Sequence, residues 1–432
     1  MKKATLHANI RQLPVGQGGF LVGQIKGDSA RVFTYAFDCG SINSEHFKQG
    51  LDFCAPSKID ILFVSHLDID HINGIDALAA HTQIDTVILP CLDELHVTMI
   101  ACEATGEVGM RVLVRSFLAD SSAWLADRGV KHILHLQRAD GTAESRPFNP
   151  DDERLNDEIE LNNEGSDTTL PYTIRSQGAS EETTLRSGTV RVRTLGENTS
   201  IITGAGRGAA AWMLIPYVHP FPAINVELFR RAVAGLLSRP FTGRMPASKP
   251  FTKKLMTLLL DEASRDQLKR CYLFLSNDNN KPSLSLYSGP LPAVANALRI
   301  DRSDEPFYPF YRSPHLKLTR GRPPANRGGA WLSTGDANLQ TKATKNPWLQ
   351  RFGNLLDQVE VFTLPHHGSH RSIHEEVLIR MKGSMMLACA VTGSAKHPHP
   401  MLLARLHGHA QTLWQVSEEA ESGFTLDVIV QV

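Results

Sequence analysis

Short apolar runs, each ending in a polar or glycine-rich turn, predict a chain with many β-strands. The runs GGFLVGQI and RVFTYAFDCGS are typical of a hairpin followed by a sheet strand. KIDILFV and IDTVILP are continuous apolar stretches, typical of strands buried on both faces. NGIDALAAHT, between these two, has helical spacing. Strand, helix and strand in this order predict an α/β fold.

The remainder of the chain continues this alternation. SFLADSSAWLADRGV predicts a helix, and so does the basic segment 230–254. Further strands are predicted at TVRVRTLG, AAAWMLIPYVHP, RCYLFLSND, SLSLYSG, GAWLSTGD, VEVFTLPHHGSH, MMLACAVTGSAKHPHP and FTLDVIVQV.

Overall charge does not favour any class of partner, but charge is unevenly distributed. The 432 residues contain 45 Lys+Arg and 45 Asp+Glu. Residues 151–167 carry eight acidic side chains and one arginine, which is typical of a solvated insertion. Residues 230–254 carry seven basic side chains and no acidic one, and a second basic patch lies at 317–327. Two interpretations of these basic segments stay open. They are ordinary solvated surfaces, or they form a local basic surface that binds single-stranded DNA or RNA.

Three further features indicate a soluble, cytoplasmic protein. The N-terminal residues have no apolar stretch typical of a secretory signal. No run approaches the ~18 apolar residues of a membrane span. The six cysteines form no CxxC pair, as expected for reduced thiols.

Polar residues follow the apolar runs at five separate places. A single aspartate or histidine at a strand end is more typical of a helix cap or a surface hydrogen bond. Five such places favour one shared site, because functional groups gather at the carboxyl ends of strands in α/β sheets. The residues are Asp38; His66, Asp68, Asp70 and His71; Asp336; His366 and His367; and His397 and His399.

The spacing within SHLDIDHINGID, residues 65–76, suits two neighbouring metal ions. Alternate residues of an extended segment point the same way, so His66 and Asp68 can face one ion, and Asp70 and His71 the other. Asp336 can bridge the ions at the ~3.5–4 Å separation of two-metal hydrolases. Such ions lower the pKa of a bound water to about 7 and allow hydrolysis without a protein nucleophile.

An ordered set of motifs resembles the metallo-β-lactamase family, and most of all the hydrolase domain of ComEC-type DNA-uptake proteins. The motifs are VGQGG, FDCGS, HLDIDH, NKPSLSL, STGD, PHHGS and HPHP. The resemblance implies an αββα sandwich in which two mixed sheets pack face to face, with a dinuclear metal site at one edge. We expect a single domain over residues 1–432, with insertions at 136–185 (acidic), 221–270 (helical and basic) and 290–328.

The resemblance also implies a role for each strand-end residue. Asp38 would support the metal loop, and Asp336 would bridge the metals. The other expected ligands are His66, Asp68, Asp70, His71, His367, and His397 or His399. Asp70, His366 and His367 are the expected catalytic residues, with His366 and His367 alternatives for ligand or proton donor. The sequence leaves open which member of each histidine pair faces the metals.

Asp68 affects the expected metal. Many members of the wider family have histidine there, whereas the ComEC-like branch shares the aspartate. A carboxylate shifts preference towards Mn²⁺ or Mg²⁺ without excluding Zn²⁺. The chain also departs from the family: DVGQGD is PVGQGG here, with Pro14 and Gly19 replacing both acids. The contribution of those acids is therefore in question, although the expected ligands are retained.

Three functions are consistent with these observations. The first is a nuclease or other phosphodiesterase acting on nucleic acid. The second is hydrolysis of a small ester, lactone or cyclic nucleotide by the same metals, and the third is a non-catalytic interaction protein. Retention of the expected ligands disfavours the third. Three aromatic residues lie among the basic residues: Phe241, Phe251 and Tyr311. Two interpretations are open for them, stacking on nucleic-acid bases or packing in the core.

Overall fold

The computed structural model describes most of the strands and helices that the sequence predicts. The described residues are 5–27, 31–91, 93–103, 115–138, 158–159, 161, 172–180, 182–185, 190–204, 211–220, 223–238, 241, 248–276, 283–291, 298–299 and 328–431. The basic patch 317–327, Tyr311 and most of the acidic segment lie outside them. The predicted domain extent and insertion boundaries stay predictions.

Nineteen strands occur in the described residues. They are β1 (Thr5–Gln12), β2 (Gly18–Lys26), β3 (Val32–Ser41), β4 (Lys58–Phe63), β5 (Gln83–Pro90), β6 (His132–Leu136), β7 (Glu158–Ile159), β8 (Tyr172–Ser176), β9 (Thr183–Leu185), β10 (Val190–Leu195), β11 (Thr199–Gly204), β12 (Ala211–Val218), β13 (Leu284–Pro290), β14 (Leu298–Arg299), β15 (Ala330–Ser333), β16 (Val359–Thr363), β17 (Met385–Cys389), β18 (Leu413–Val416) and β19 (Phe424–Gln431).

The strands form two large mixed sheets. The first sheet has the order β14-β19-β1-β2-β3-β4-β5-β6-β10-β9, and the second has the order β18-β17-β16-β15-β13-β12-β11-β8-β7. Strands β3 to β6 pair in parallel, and so do β15 to β18. Each sheet therefore has an edge at which the carboxyl ends of several parallel strands meet.

Helices lie in the connections between the parallel strands, and three more of the described helices lie between the antiparallel strands β12 and β13. The described helices are α1 (Ser44–Cys54), α2 (Ile69–Ile72), α3 (Ile75–Ala79), α4 (Glu94–Glu103), α5 (Ser121–Ala126), α6 (Ala223–Leu237), α7 (Lys249–Leu260), α8 (Glu262–Ser276), α9 (Lys342–Phe352), α10 (Glu375–Arg380) and α11 (Pro400–Gly408). Short 3₁₀ turns lie at Gly353–Gln358, Pro365–Gly368 and Ala420–Ser422.

Three apolar cores separate four layers in this part of the chain. The middle core lies between the sheets and includes Phe63 of the first and Leu214 of the second. A second core packs helices, among them α6, on the outer face of the first sheet, with Phe229 fully buried. The third packs α9 on the second sheet through Trp348. The α/β class predicted from the sequence is confirmed.

The predicted strand at RCYLFLSND is wrong, because its described part is the end of α8. Leu268 and Cys271, three residues apart, are buried, as on one face of a helix. Leu273 and Phe274 are 58% and 47% exposed, so the apolar residues do not alternate between two faces as a strand requires. The basic segment 230–254 is helical in α6 and α7, as predicted.

Candidate metal centre

Every predicted ligand follows or ends a strand at the edge where parallel strands finish. His66 and Asp68 lie in the loop after β4, and Asp70 lies in the short helix α2. Asp336 follows β15, and His367 lies in the 3₁₀ turn after β16. Both sheets therefore contribute to the same site.

Asp38 holds the first ligand loop in place. Its carboxylate accepts hydrogen bonds from the Ser65 backbone N–H (2.6 Å) and from the Ser65 hydroxyl (2.8 Å). The same carboxylate lies 2.8 Å from Nδ1 of His71, and the Ser65 hydroxyl lies 2.9 Å from Nδ1 of His66. With both Nδ1 atoms engaged, each histidine turns its Nε2 towards the centre of the site. Asp38 thus has the supporting position that we expected.

The carboxylate of Asp336 lies between two groups of side chains. Its Oδ2 is 3.6 Å from Nε2 of His66 and 3.8 Å from Nε2 of His366. Its Oδ1 is 3.5 Å from Nε2 of His71 and 3.7 Å from Nε2 of His367. The two oxygens of one carboxylate therefore face different histidine pairs.

The remaining carboxylates lie on opposite sides of Asp336. Asp68 Oδ2 is 3.5 Å from His66 Nε2. Asp70 Oδ2 is 3.1 Å from His367 Nε2 and 3.9 Å from His71 Nε2. Each oxygen of the Asp336 carboxylate thus has histidine nitrogens and one further carboxylate on its side.

These side chains fit divalent cations. In the described residues, Nε2 of His66, His71 and His367 and Oδ1 of Asp336 are buried and make no hydrogen bond of suitable geometry. Buried polar atoms are usually satisfied, and here four that are not converge on one point, which is the arrangement that a bound cation would satisfy. Imidazole nitrogens and carboxylate oxygens are donors that Zn²⁺ and Mn²⁺ accept. Two overlapping donor sets stand out: His66, His71 and Asp336; and Asp70, His71 and His367.

The two central carboxyl groups are held in their ionised form. Burial raises the pKa of Asp336, but His366 and His367 outweigh it and bring that pKa well below its ordinary value. Burial likewise raises the pKa of Asp70, but His71 and His367 outweigh it and lower the pKa. Both carboxylates are therefore available as anionic donors to a cation.

The pKa values of two ligand histidines are raised, whereas those of the carboxyl groups are lowered. Burial lowers the pKa of His71, but Asp38 and Asp70 outweigh it and hold that pKa well above its ordinary value. Burial also lowers the pKa of His367, and Asp336 and Asp70 reverse the effect. A metal ion binding here would displace protons from these rings, so its affinity should rise with pH.

The backbone of the site is strained. Of the five non-glycine residues with positive φ in the described part of the chain, three belong here: Asp38 (57°), His366 (49°) and His367 (55°). Such conformations disfavour residues other than glycine and persist where the surrounding structure enforces them. The strain is concentrated where side chains must be aimed at one point.

The structure distinguishes the members of each histidine pair. His367 is buried and points between Asp70 and Asp336, whereas His366 is partly exposed. The ring of His397 lies 5.5 Å from that of His366 and 6.0 Å from that of His367. Burial, together with these two rings, lowers the pKa of His397 to about 4.

His399 faces away from this group. Its Nδ1 accepts a hydrogen bond from the backbone N–H of Met401 at the start of α11, and its ring lies 3.8 Å from that of His370. His399 thus caps a helix, which is the ordinary role of a polar residue at this position. His397 is therefore the member of the HPHP pair that the structure brings to the centre.

Sequence reasoning gave no role to Ser65 and Ser283. Ser65 precedes the first ligand and links Asp38 to His66. The Ser283 hydroxyl accepts a hydrogen bond from the backbone N–H of Asp336 (3.0 Å). Two signals in the sequence were available: both serines stand at the start or end of a predicted strand, and Ser283 belongs to the quoted motif NKPSLSL.

Of the proposed base-stacking residues, the two that the structure describes belong to the core. The rings of Phe241 and Phe251 stack on each other at 6.1 Å, and they are only 7% and 5% exposed. The alternative reading, that these aromatic residues are core, is the correct one for this pair.

Two arginines lie near the carboxyl end of β5. Arg138 Nη2 is 3.4 Å from Asp93 Oδ2. Burial raises the pKa of Asp93, against the opposing effects of Arg138 and Arg230. Arg230 belongs to α6, so this part of the basic helical segment acts on Asp93, three residues beyond the end of β5. Among the described residues, no helix has the length and apolar character needed to cross a membrane.

Comparisons with known proteins add little. No family model and no curated protein matches the chain. Among solved structures, a long-form RNase Z from yeast is similar at 7% identity and a TM-score of 0.30. The similarity covers 89% of this chain but only 36% of the RNase Z chain, so this protein spans about a third of that length. A similarity this weak supports no conclusion about function.

Proposed function

We propose that the protein is a metal-dependent phosphodiesterase of the metallo-β-lactamase type, which cleaves single-stranded nucleic acid with two divalent ions. The observation that carries the proposal is the position of Asp336, whose two oxygens face separate groups of ligands. The ComEC-like motifs quoted above, and a helix–sheet–sheet–helix layering with ligands from both sheets, support the same family.

The ligands divide into two groups under this proposal. His66 and Asp68 would hold one ion and Asp70, His71 and His367 the other, with Asp336 shared between them. When bound, the two ions would supply Lewis acidity to the phosphoryl group and a water of lowered pKa. Asp68 increases the share of hard oxygen donors, which favours Mn²⁺ over Zn²⁺.

His366 and His397 are the side chains best placed to move a proton. They stack beside the centre, and His366 is partly exposed, so a substrate can reach it. Protonation of a leaving oxygen needs a donor within hydrogen-bonding reach of the substrate. His366 lies on the Oδ2 side of Asp336 and its ring stacks on that of His397, so it would be the donor to a substrate bound there.

The nucleic-acid substrate is supported by charge. Arg138 and Arg230 both act on Asp93, three residues beyond the carboxyl end of β5, and a phosphate backbone needs cations along its path. Hydrolysis of a small ester, lactone or cyclic nucleotide would use the same ions, but it would not need cations extending beyond the centre.

The test is an activity panel with metal analysis. We expect purified protein to retain divalent metal and to cleave single-stranded DNA or RNA with Mn²⁺. D70N and D336N should lower the rate of cleavage on the order of 10³-fold, whereas D76N should leave it unchanged. Asp76 is a matched control, because it lies six residues after Asp70 but pairs with Arg128 and is 62% exposed. Steep loss of substrate affinity with salt would indicate a polyanion.

Each other outcome has a definite meaning. Cleavage of small esters alone, without salt sensitivity, would assign the second function. Absence of bound metal, together with no metal-supported hydrolysis of any substrate, would reject the enzymatic proposal.

A further inference from the structure

Ser283 lies at the point where the ligand loops of the two sheets touch. It is fully buried just before β13, and its hydroxyl accepts the backbone N–H of Asp336 at 3.0 Å. Its carbonyl oxygen accepts the N–H of His219, at the end of β12, at 3.2 Å. The bond from His219 fixes the Ser283 backbone, and the Ser283 hydroxyl in turn fixes the backbone of Asp336.

The next residue bonds to the opposite sheet. The N–H of Leu284 donates to the carbonyl oxygen of Ser65 at 2.9 Å. Ser65 in turn bonds Asp38, which holds His71. A continuous set of hydrogen bonds thus connects a ligand histidine of the first sheet with Asp336 of the second.

Gly335 leaves no space for an alternative arrangement. It has φ +52°, and a Cβ there would overlap the Ser283 hydroxyl and approach within 2.8 Å of Ser65 Cβ. Only glycine allows this close approach of the two loops. The peptide before Asp336 is thereby fixed between the serines.

We infer that Ser283 is a positioning residue, which sets the location of the Asp336 carboxylate between the two metal ions. The inference rests on the metal centre proposed above. The reason is geometric: without the hydroxyl, the Asp336 N–H would be buried with no acceptor, and its peptide would turn to find one. Residues behind metal ligands typically contribute 10–100-fold, roughly, to metal affinity.

Ser285 provides a matched control. It lies two residues further along the chain, is equally buried, and its hydroxyl bonds His219 Nε2 (2.8 Å) and Trp348 Nε1 (3.3 Å). S285A thus removes a buried hydroxyl from the same region without touching Asp336. Any general loosening of the second sheet should be as large in S285A as in S283A.

The experiment titrates full-length protein with Co²⁺ alone and records visible absorption bands, metal affinity and thermal stability. We expect S283A to bind Co²⁺ on the order of 10–100-fold more weakly than wild type, with altered absorption bands. S285A should keep wild-type affinity and bands, even if its thermal stability falls. S283T, which retains the hydroxyl, should restore affinity towards that of the wild type.

Two outcomes would overturn the inference alone: wild-type affinity and bands in S283A, or the same loss in S283A and S285A. A wild-type protein that binds no Co²⁺ would overturn the proposed metal centre itself, and the inference with it. The wild-type titration thus separates the two failures.

Discussion

The two ends of the parallel strands in the first sheet use buried aspartates in opposite ways. At the amino ends, the Lys58 ammonium lies 2.9 Å from Asp60 and 2.7 Å from Asp85. Lys131 lies 3.1 Å from Asp85, and Asp60 also accepts the N–H of Thr34. At the carboxyl ends, the buried aspartates meet histidines instead.

This difference separates stabilisation from binding. A lysine carries its charge permanently at neutral pH and neutralises an aspartate without help from any ligand. A histidine can give up its proton and offer a lone pair to a metal ion. The aspartates of the amino-terminal edge are therefore neutralised within the protein alone, whereas those of the carboxyl-terminal edge face histidine nitrogens that are buried with no hydrogen bond of suitable geometry.

The largest effect should follow from D336N. Loss of the shared carboxylate should lower the turnover number on the order of 10³-fold, since both ions lose a ligand. The metal-free variant should remain folded at room temperature but unfold at a lower temperature than wild type, because the buried histidines lose an ion-pair partner. The turnover number measures the effect on catalysis, and thermal unfolding of the metal-free protein measures the effect on stability. A D336N protein that unfolds in the absence of metal would show that this edge is also structural.

D85N should produce the reverse pattern. Removing this carboxylate takes a partner from Lys58 and Lys131, and we expect a loss of about 1–3 kcal/mol in the free energy of unfolding. The lysines remain about half exposed, which limits the loss. Denaturant unfolding checks stability, and metal content should equal that of wild type. Loss of metal from D85N would show that the two edges are coupled.

Acid should act on the two edges in different pH ranges. Burial raises the pKa of Asp85, but Lys58 and other partners outweigh it and lower that pKa. A carboxyl with a lowered folded pKa stabilises the protein above its unfolded value of about 4 and loses this contribution only as pH falls further. The Lys58 network should therefore be intact at pH 5.

His219, beside Ser285 near the carboxyl-terminal edge, should respond earlier. Burial lowers its pKa to about 3, so the unfolded chain takes up a proton below pH ~6.5 that the folded chain does not. Stability should thus fall by about 2 kcal/mol between pH 7 and pH 5 from this group. H219Q should flatten that slope in denaturant unfolding, while D85N should leave it unchanged. An unchanged slope in H219Q would contradict the assignment.

How far the sequence predicts the site depends on the range of the interactions involved. The strands before His66 and Asp336 are short buried apolar runs, and parallel pairing aligns the carboxyl end of each with its neighbours in its own sheet. The two strands belong to different sheets, so only the packing of one sheet on the other brings His66 and Asp336 together. His397 and His399 both precede a proline, and the structure separates them: His399 caps α11 and contacts His370, whereas His397 contacts His366.

Other features could not be found by local reasoning. The role of Ser283 depends on a hydrogen bond to Asp336, 53 residues away. RCYLFLSND was misread as a strand because a short apolar run does not distinguish a helix from a strand. Its helical face is defined by packing within the α6–α8 region, through Leu268 and Cys271.

The smallest effect concerns which metal the carboxyl-terminal edge selects. Asp68 Oδ2 lies 3.5 Å from His66 Nε2, and D68H would replace this hard oxygen with a softer nitrogen. We expect the ratio of Zn²⁺ to Mn²⁺ affinity to rise about tenfold, because imidazole favours Zn²⁺ more than carboxylate does. Competitive titration of the two metals measures the ratio, and D76N is the control that should not change it. An unchanged ratio in D68H would mean that Asp68 lies outside the coordination sphere, leaving His66 and Asp336 to define that side of the centre.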